Sequence, residues 1–201
     1  MALVKLNNRG VRSATTFGSI SALGEMRFIS KQTASSSSTI SFTSGIDSTY
    51  KEYLFTFNNI HPATDGVTFQ FQGNAAGGSG YNETMTSTYF RAFNGEGGEG
   101  ADLEYQASQD QAQGTSFEPI GQGLGNDNDQ SLSGYLHLFN PSSTVFVKHF
   151  LSKCNFPSSD NYSYNIFKAG YFNTTSAIDE IQFKMSSGNI DAGDICLYGI
   201  N

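Results

Sequence analysis

Alternation of apolar and polar residues with a period of two, repeated in short segments, constrains this chain more than any other feature. Thr39-Ile40-Ser41-Phe42-Thr43 alternates cleanly, and Val67-Thr68-Phe69-Gln70-Phe71-Gln72 places Val67, Phe69 and Phe71 on one side and polar residues on the other. Tyr50 to Phe57 puts Tyr53, Phe55 and Phe57 on one face and Leu54 on the opposite one. A helix cannot bury such a pattern, because its period is 3.6 residues. The polar positions are filled by Ser, Thr, Asn, Gln and Gly, and only 14% of the 201 residues are charged. Helical surfaces favour Lys, Glu, Arg and Ala, whereas strand surfaces and tight turns use the uncharged set. The chain therefore reads as all-β.

Further strands are expected at Met26–Ser30, Met85–Phe93, Leu132–Phe139, Thr144–Cys154, Tyr162–Phe172, Ala177–Met185 and Asp194–Ile200. A polar tract follows the first, from Ser35 to Ser38, and turns are expected at Ser44–Asp47, His61–Gly66, Asn140–Ser142, Pro157–Asp160 and Ser186–Gly193. Residues 73 to 130 are the least regular part, and within them residues 101 to 130 offer at most a short strand at Leu103–Ala107. Roughly nine short strands suggest a β-sandwich, jelly-roll-like, with no helix beyond a turn or two. In its final pair Ile178, Ile181 and Phe183 would meet Ile195, Leu197 and Tyr198. The sandwich spans residues 26–201.

Residues 1–25 read differently. Their apolar residues are scattered, with no sustained period, and Lys5, Arg9 and Arg12 meet no acid before Glu25 on a chain of net charge −7. Such a segment is either a frayed terminus or an arm that orders on an acidic neighbour, anchored by Leu3, Leu6, Val11, Phe17, Ile20 and Leu23. No apolar stretch follows its basic residues, so it does not read as a signal peptide. The acidic balance argues against nucleic acid as the main partner, and no run reaches the ~20 apolar residues of a membrane span.

Catalytic and metal-binding motifs are sparse. His61, His137 and His149 lie far apart, and only a His137–His149 pair across two strands could start a metal site. Neither G-x-S-x-G nor H-E-x-x-H occurs. Glu96, Glu99, Asp102 and Glu104 cluster in a glycine-rich loop that lacks the rigidity a glycosidase pair needs, though it could hold a hard cation weakly. Asn126-Asp127-Asn128-Asp129 opens like a calcium loop but has Ser131 at the sixth position and no closing Glu. Gly121-Gln122-Gly123-Leu124-Gly125 falls short of a dinucleotide fingerprint. Tyr81, Tyr89, Phe90, Phe93 and Tyr105 could stack on sugars, though strand aromatics more often fill cores. Cys154, with Phe150 and Phe156 on one strand face, and Cys196 read as reduced core residues, and no cofactor is implied.

Ser41 to Tyr53 followed by Asn59-Ile60-His61-Pro62-Ala63-Thr64-Asp65 resembles a segment recurring in small structural proteins of marine tailed bacteriophages, cyanophages among them. The ending, Ile178–Phe183 through Ser187-Gly188-Asn189-Ile190 to Gly193–Ile200, is similar to the closing hairpin of β-sandwich domains in such virion proteins, and Leu138–Ser143 belongs to the same pattern. The resemblance implies a non-enzymatic virion component assembled in the host bacterial cytoplasm and contacting other capsid or tail proteins. The expected role is a capsid decoration or cement protein attached through Leu3, Lys5, Leu6, Arg9, Val11, Arg12 and Phe17. Edge strands with few Lys or Glu imply a homo-oligomer, a trimer by preference. The rival roles are a tail or fibre adhesin, with the loops Gly73–Gly80 and Gly95–Gly100 on host surface glycans, and a polysaccharide depolymerase.

Overall fold

The computed structural model describes residues 26–201. The strands are β1 (Arg27–Ser37), β2 (Ile40–Phe42), β3 (Glu52–Pro62), β4 (Val67–Ala75), β5 (Met85–Gly95), β6 (Ala101–Tyr105), β7 (Ala112–Gly114), β8 (Glu118–Leu124), β9 (Leu132–Phe139), β10 (Lys148–Pro157), β11 (Tyr162–Phe172), β12 (Ile178–Met185) and β13 (Ile190–Ile200). A single 3-10 turn, Ala107–Gln109, is the one helical element among the described residues. Two antiparallel sheets face each other: β1-β13-β3-β9-β10-β11-β5-β6, with β7 also on β5, and β2-β12-β4-β8.

Eight of these strands make a jelly roll. The chain alternates between sheets through β1, β2, β3 and β4, turns back within the small sheet to β8, and alternates again through β9, β12 and β13. That path yields the quartets β1-β13-β3-β9 and β2-β12-β4-β8, the two interlocked Greek keys of the fold. The other five strands are insertions. β5–β7 lie between β4 and β8 in sequence, β10–β11 between β9 and β12, and all extend the large sheet beyond β9.

The core is aromatic because the alternating segments deliver Phe from both sheets. Phe183 is its centre, with ring centroids 5.4 Å from Phe55, 5.3 Å from Phe57, 5.8 Å from Phe69 and 6.2 Å from Phe42. Most pairs meet edge to face, the arrangement the ring quadrupole favours. A second group, Phe71, Phe150 and Phe172, continues the layer toward β11.

Several sequence expectations are corrected. The Ser35–Ser38 tract is strand as far as Ser37, since β1 pairs with β13 through Ser37 opposite Ile190. Gln72 is buried rather than outward, its amide donating to the carbonyls of Glu83, Thr115 and Ser116. The strand expected at Thr144–Cys154 begins at Lys148 instead, and residues 101–130 hold three strands. The closing pair is no hairpin: β12 belongs to the small sheet and β13 to the large one. Ile181 and Phe183 are buried in the same core as Ile195 and Leu197, but the two strands share no hydrogen-bonded register. Part of the expected turn Ser186–Gly193 is β13 itself, bent by register shifts against β3. Gly193 has φ 118°, and a Cβ there would lie 2.5 Å from the Asn59 carbonyl oxygen, so the bulge requires glycine.

Candidate functional site

The insertions create a broad outer face on the large sheet. Registers place Tyr135, Lys153, Phe167, Phe90 and Tyr105 directly opposite one another across β9, β10, β11, β5 and β6, so all five side chains share one side. Their inward neighbours Leu136, Ser152, Lys168 and Tyr89 are buried, which fixes this row as outward. Phe90 and Phe167 stack with centroids 5.0 Å apart and planes 6° from parallel. That separation matches the spacing of neighbouring strands, so both rings stand up from the sheet with their edges to solvent. The Lys153 ammonium lies 5.0 Å from the Phe167 centroid.

The adjacent outward row runs Leu54, His137, Leu151, Ala169 and Thr88. Leu151 is 47% exposed and Phe90 41%; a shallow depression of about 210 Å³ lies between the rows, and another of about 290 Å³ lies on the far side of the Leu151 row, beside His149, Tyr171 and Thr86. Phe90, Leu103, Tyr105, Tyr135 and Leu151 are the exposed large apolar side chains of this face. Upright ring edges suit insertion into another protein surface better than flat stacking on a sugar ring.

A polar depression of about 400 Å³ lies where β5 and β11 run past the small sheet. Arg91, Gln106, Gln122, Ser159, Asp160 and Tyr164 contribute to its wall. Arg91 Nε donates to Glu104 Oε1 at 2.5 Å, and its guanidinium lies 4.6 Å from the Tyr164 centroid.

Beneath the outer face a buried polar lock joins the sheets. Lys168 and Glu118 form an ion pair with neither side chain exposed. Glu118 also accepts from Ser87 Oγ and from Gln111 Nε2, both at 2.7 Å. Lys168 donates to the Gln109 carbonyl at 2.8 Å and lies 5.0 Å from the Tyr89 centroid. Burial pushes the Lys168 pKa down, and the Glu118 charge opposes it. Lys148, likewise lowered by burial, donates to the carbonyls of Phe146 and Thr174. These groups tie β11 to β8 and both β11 and β10 to irregular chain. Parity could have revealed Lys168, which shares the inward side of β11 with Ile166 and Phe172.

The sequence-derived candidates are scattered. His61 Nε2 lies 3.2 Å from the Asp127 carbonyl, His137 Nε2 is 2.8 Å from Glu52 Oε2, and His149 packs edge-on against Tyr171. Among the described residues no three His, Cys, Asp or Glu side chains converge as a metal site. The acidic cluster belongs to a β-hairpin, with Asp102 and Glu104 on β6 and Glu104 committed to Arg91. Asn126–Asp129 closes as a turn through the Gln130 amide, which donates to the Asp127 carbonyl at 2.8 Å, while the Asn126 amide donates to Asp65. Gly121–Leu124 is part of β8, so no phosphate cradle exists there. Tyr89 is core, whereas Tyr81 donates to Glu180 Oε2 at 2.9 Å. Loops Gly73–Gly80 and Gly95–Gly100 adjoin opposite ends of β5 and form no common rim. Cys154 is buried between Phe150 and Phe156 on β10 and Cys196 is buried on β13, both free thiols. Leu3, Lys5, Leu6, Arg9, Val11, Arg12 and Phe17 lie outside the described residues. No family model, curated protein or solved structure matches this chain.

Proposed function

We propose that this protein is a structural component of a tailed-bacteriophage virion, a capsid decoration protein that works by adhesion. The observation that carries the reading is the apolar outer face around Phe90, Phe167, Tyr135 and Leu151, which the inserted strands β5, β10 and β11 build together with β9. Jelly rolls serve viral shells as well as lectins, so the fold supports this class by analogy. Residues 1–25 act as the attachment arm, through Lys5, Arg9 and Arg12 and the apolar Leu3, Leu6, Val11 and Phe17. Deleting residues 1–25 leaves a soluble sandwich with a near-unchanged melting temperature but removes most of its incorporation into particles. Full occupancy by the truncated chain would overturn the arm reading.

The second reading is an adhesin for host surface glycans, favoured by the polar depression of Arg91, Gln106, Gln122 and Asp160. These side chains offer both donors and acceptors for sugar hydroxyls. Copy number separates the readings: decoration requires hundreds of chains per particle, a tail adhesin a dozen or fewer.

A further inference from the structure

The large sheet ends at β6, whose far side has no strand partner among the described residues. The strand presents exposed apolar groups at that edge, with Leu103 66% and Tyr105 58% exposed, both on the outer face beside Phe90 and Ala92. Unpaired strand edges bearing apolar side chains are templates for strand addition. The opposite side of β6 carries Asp102 and Glu104, and the β5–β6 turn adds exposed Glu96 and Glu99. Arg91 pairs with Glu104, which leaves Glu96, Glu99 and Asp102 without an ion-pair partner among the described residues.

We propose that the free edge of β6 is the docking edge for residues 1–25 of a second copy of this chain. The inference rests on the reading of residues 1–25 as an attachment arm and names its acceptor. Charge complementarity carries it: the arm holds Lys5, Arg9 and Arg12 and no acid before Glu25, and the edge is acidic. Residue parity fits as well. In a strand added along β6 over residues 4–6, Val4 and Leu6 share the side of Leu103 and Tyr105, while Lys5 falls on the side of Asp102 and Glu104; Arg9 follows Lys5, whereas Arg12 follows Leu6 and Leu3 follows Lys5.

The position of the arm favours a neighbour over self-docking. Residue 26 leads into β1, at the opposite edge of the same sheet from β6. Crossing seven strand spacings takes roughly 34 Å. The linker from Arg12 to Met26 spans at most about 50 Å when fully extended. Self-docking would commit about two-thirds of that reach to a path across the sheet, whereas a neighbouring copy imposes no such path. Because the donor and acceptor surfaces differ, the contact is head to tail, and it closes into a ring when the rotation permits.

The test uses two full-length variants. Glu96→Lys/Glu99→Lys/Asp102→Lys reverses the edge, and Lys5→Glu/Arg9→Glu/Arg12→Glu reverses the arm. The three edge positions are exposed. Molar mass by light scattering is expected to show a multimer for the native chain, and each variant is expected to weaken its association by roughly tenfold or more. Mixing the two variants restores a complex, because the acidic arm of one fits the basic edge of the other. Native mass in either variant, or no complex on mixing, overturns the proposal, and a native chain that is itself monomeric does so too. If one variant loses its cooperative melting transition, Leu103→Asp replaces it, with the same loss of mass expected. The measurement needs no particles, so it can fail while incorporation of the truncated chain still decides the arm reading.

Discussion

Replacing Glu118 by Gln isolates the buried lock between the sheets. The change keeps the shape of the side chain and a carbonyl that can accept from Ser87, but it strips Lys168 of its counter-charge where neither side chain reaches solvent. What remains for the ammonium is the Gln109 carbonyl and the face of Tyr89. Breaking a buried pair from one side costs about 3–5 kcal/mol. For a domain of this size that lowers the melting temperature by roughly 6–20 °C. The loss is pH-dependent, with a definite sign. Burial holds the Lys168 pKa below its ordinary 10.5, and removing Glu118 lowers it further. Between the lowered folded value and the ordinary unfolded value, the unfolded chain binds more protons, so stability rises with pH across that window. Glu118→Gln is therefore least stable near neutrality and recovers toward alkaline pH, while the native chain shows the same slope over a narrower window. Denaturant titrations followed by far-ultraviolet circular dichroism at several pH values measure both effects. Glu118→Gln/Lys168→Met, which removes both charges, recovers most of the loss. A single variant that costs less than about 1 kcal/mol and has a flat pH profile would refute the reasoning.

Phe183→Ala empties the centre of the aromatic core and is expected to cost about 3–5 kcal/mol in denaturant unfolding, since Phe42, Phe55, Phe57 and Phe69 all lose contacts. Gly134→Ala drives a Cβ to 2.3 Å from the Lys153 carbonyl oxygen and is expected to cost about 1–3 kcal/mol, or to separate β9 from β10 locally, as read by amide hydrogen exchange. Cys154 has its thiol pKa pushed up by burial and donates to the Ile120 carbonyl at 3.2 Å, so native-state thiol labelling should wait for unfolding; rapid modification would contradict this packing. Leu151→Glu on the outer face should shift stability by only about 0.5 kcal/mol or less while weakening attachment to particles, and unchanged attachment would count against the outer face as a contact surface.

Side-chain parity was written in the sequence, because it is a local property of each strand. Phe69 and Phe71, Tyr53, Phe55 and Phe57, and Ile40 with Phe42 point inward as their alternation requires, and β9 and β11 match their expected ends. β8 was hidden because Glu118, Pro119, Gly121 and Gly123 carry no strand propensity; pairing with β4 and the lock to Lys168 hold it there instead. The outer face was hidden for a different reason. Tyr135, Phe167 and Phe90 each look like an isolated apolar residue on a polar strand side, and only the register across five strands brings them together. Sheet membership is decided in the same non-local way. A short connection after β12 looks like a hairpin turn, but β4 and β2 occupy both edges of β12, so the chain crosses to the gap between β1 and β3. Alternation sets which side of a strand is buried; which strand lies beside it depends on hydrogen-bond partners far away in the chain, and only the folded sandwich fixes those.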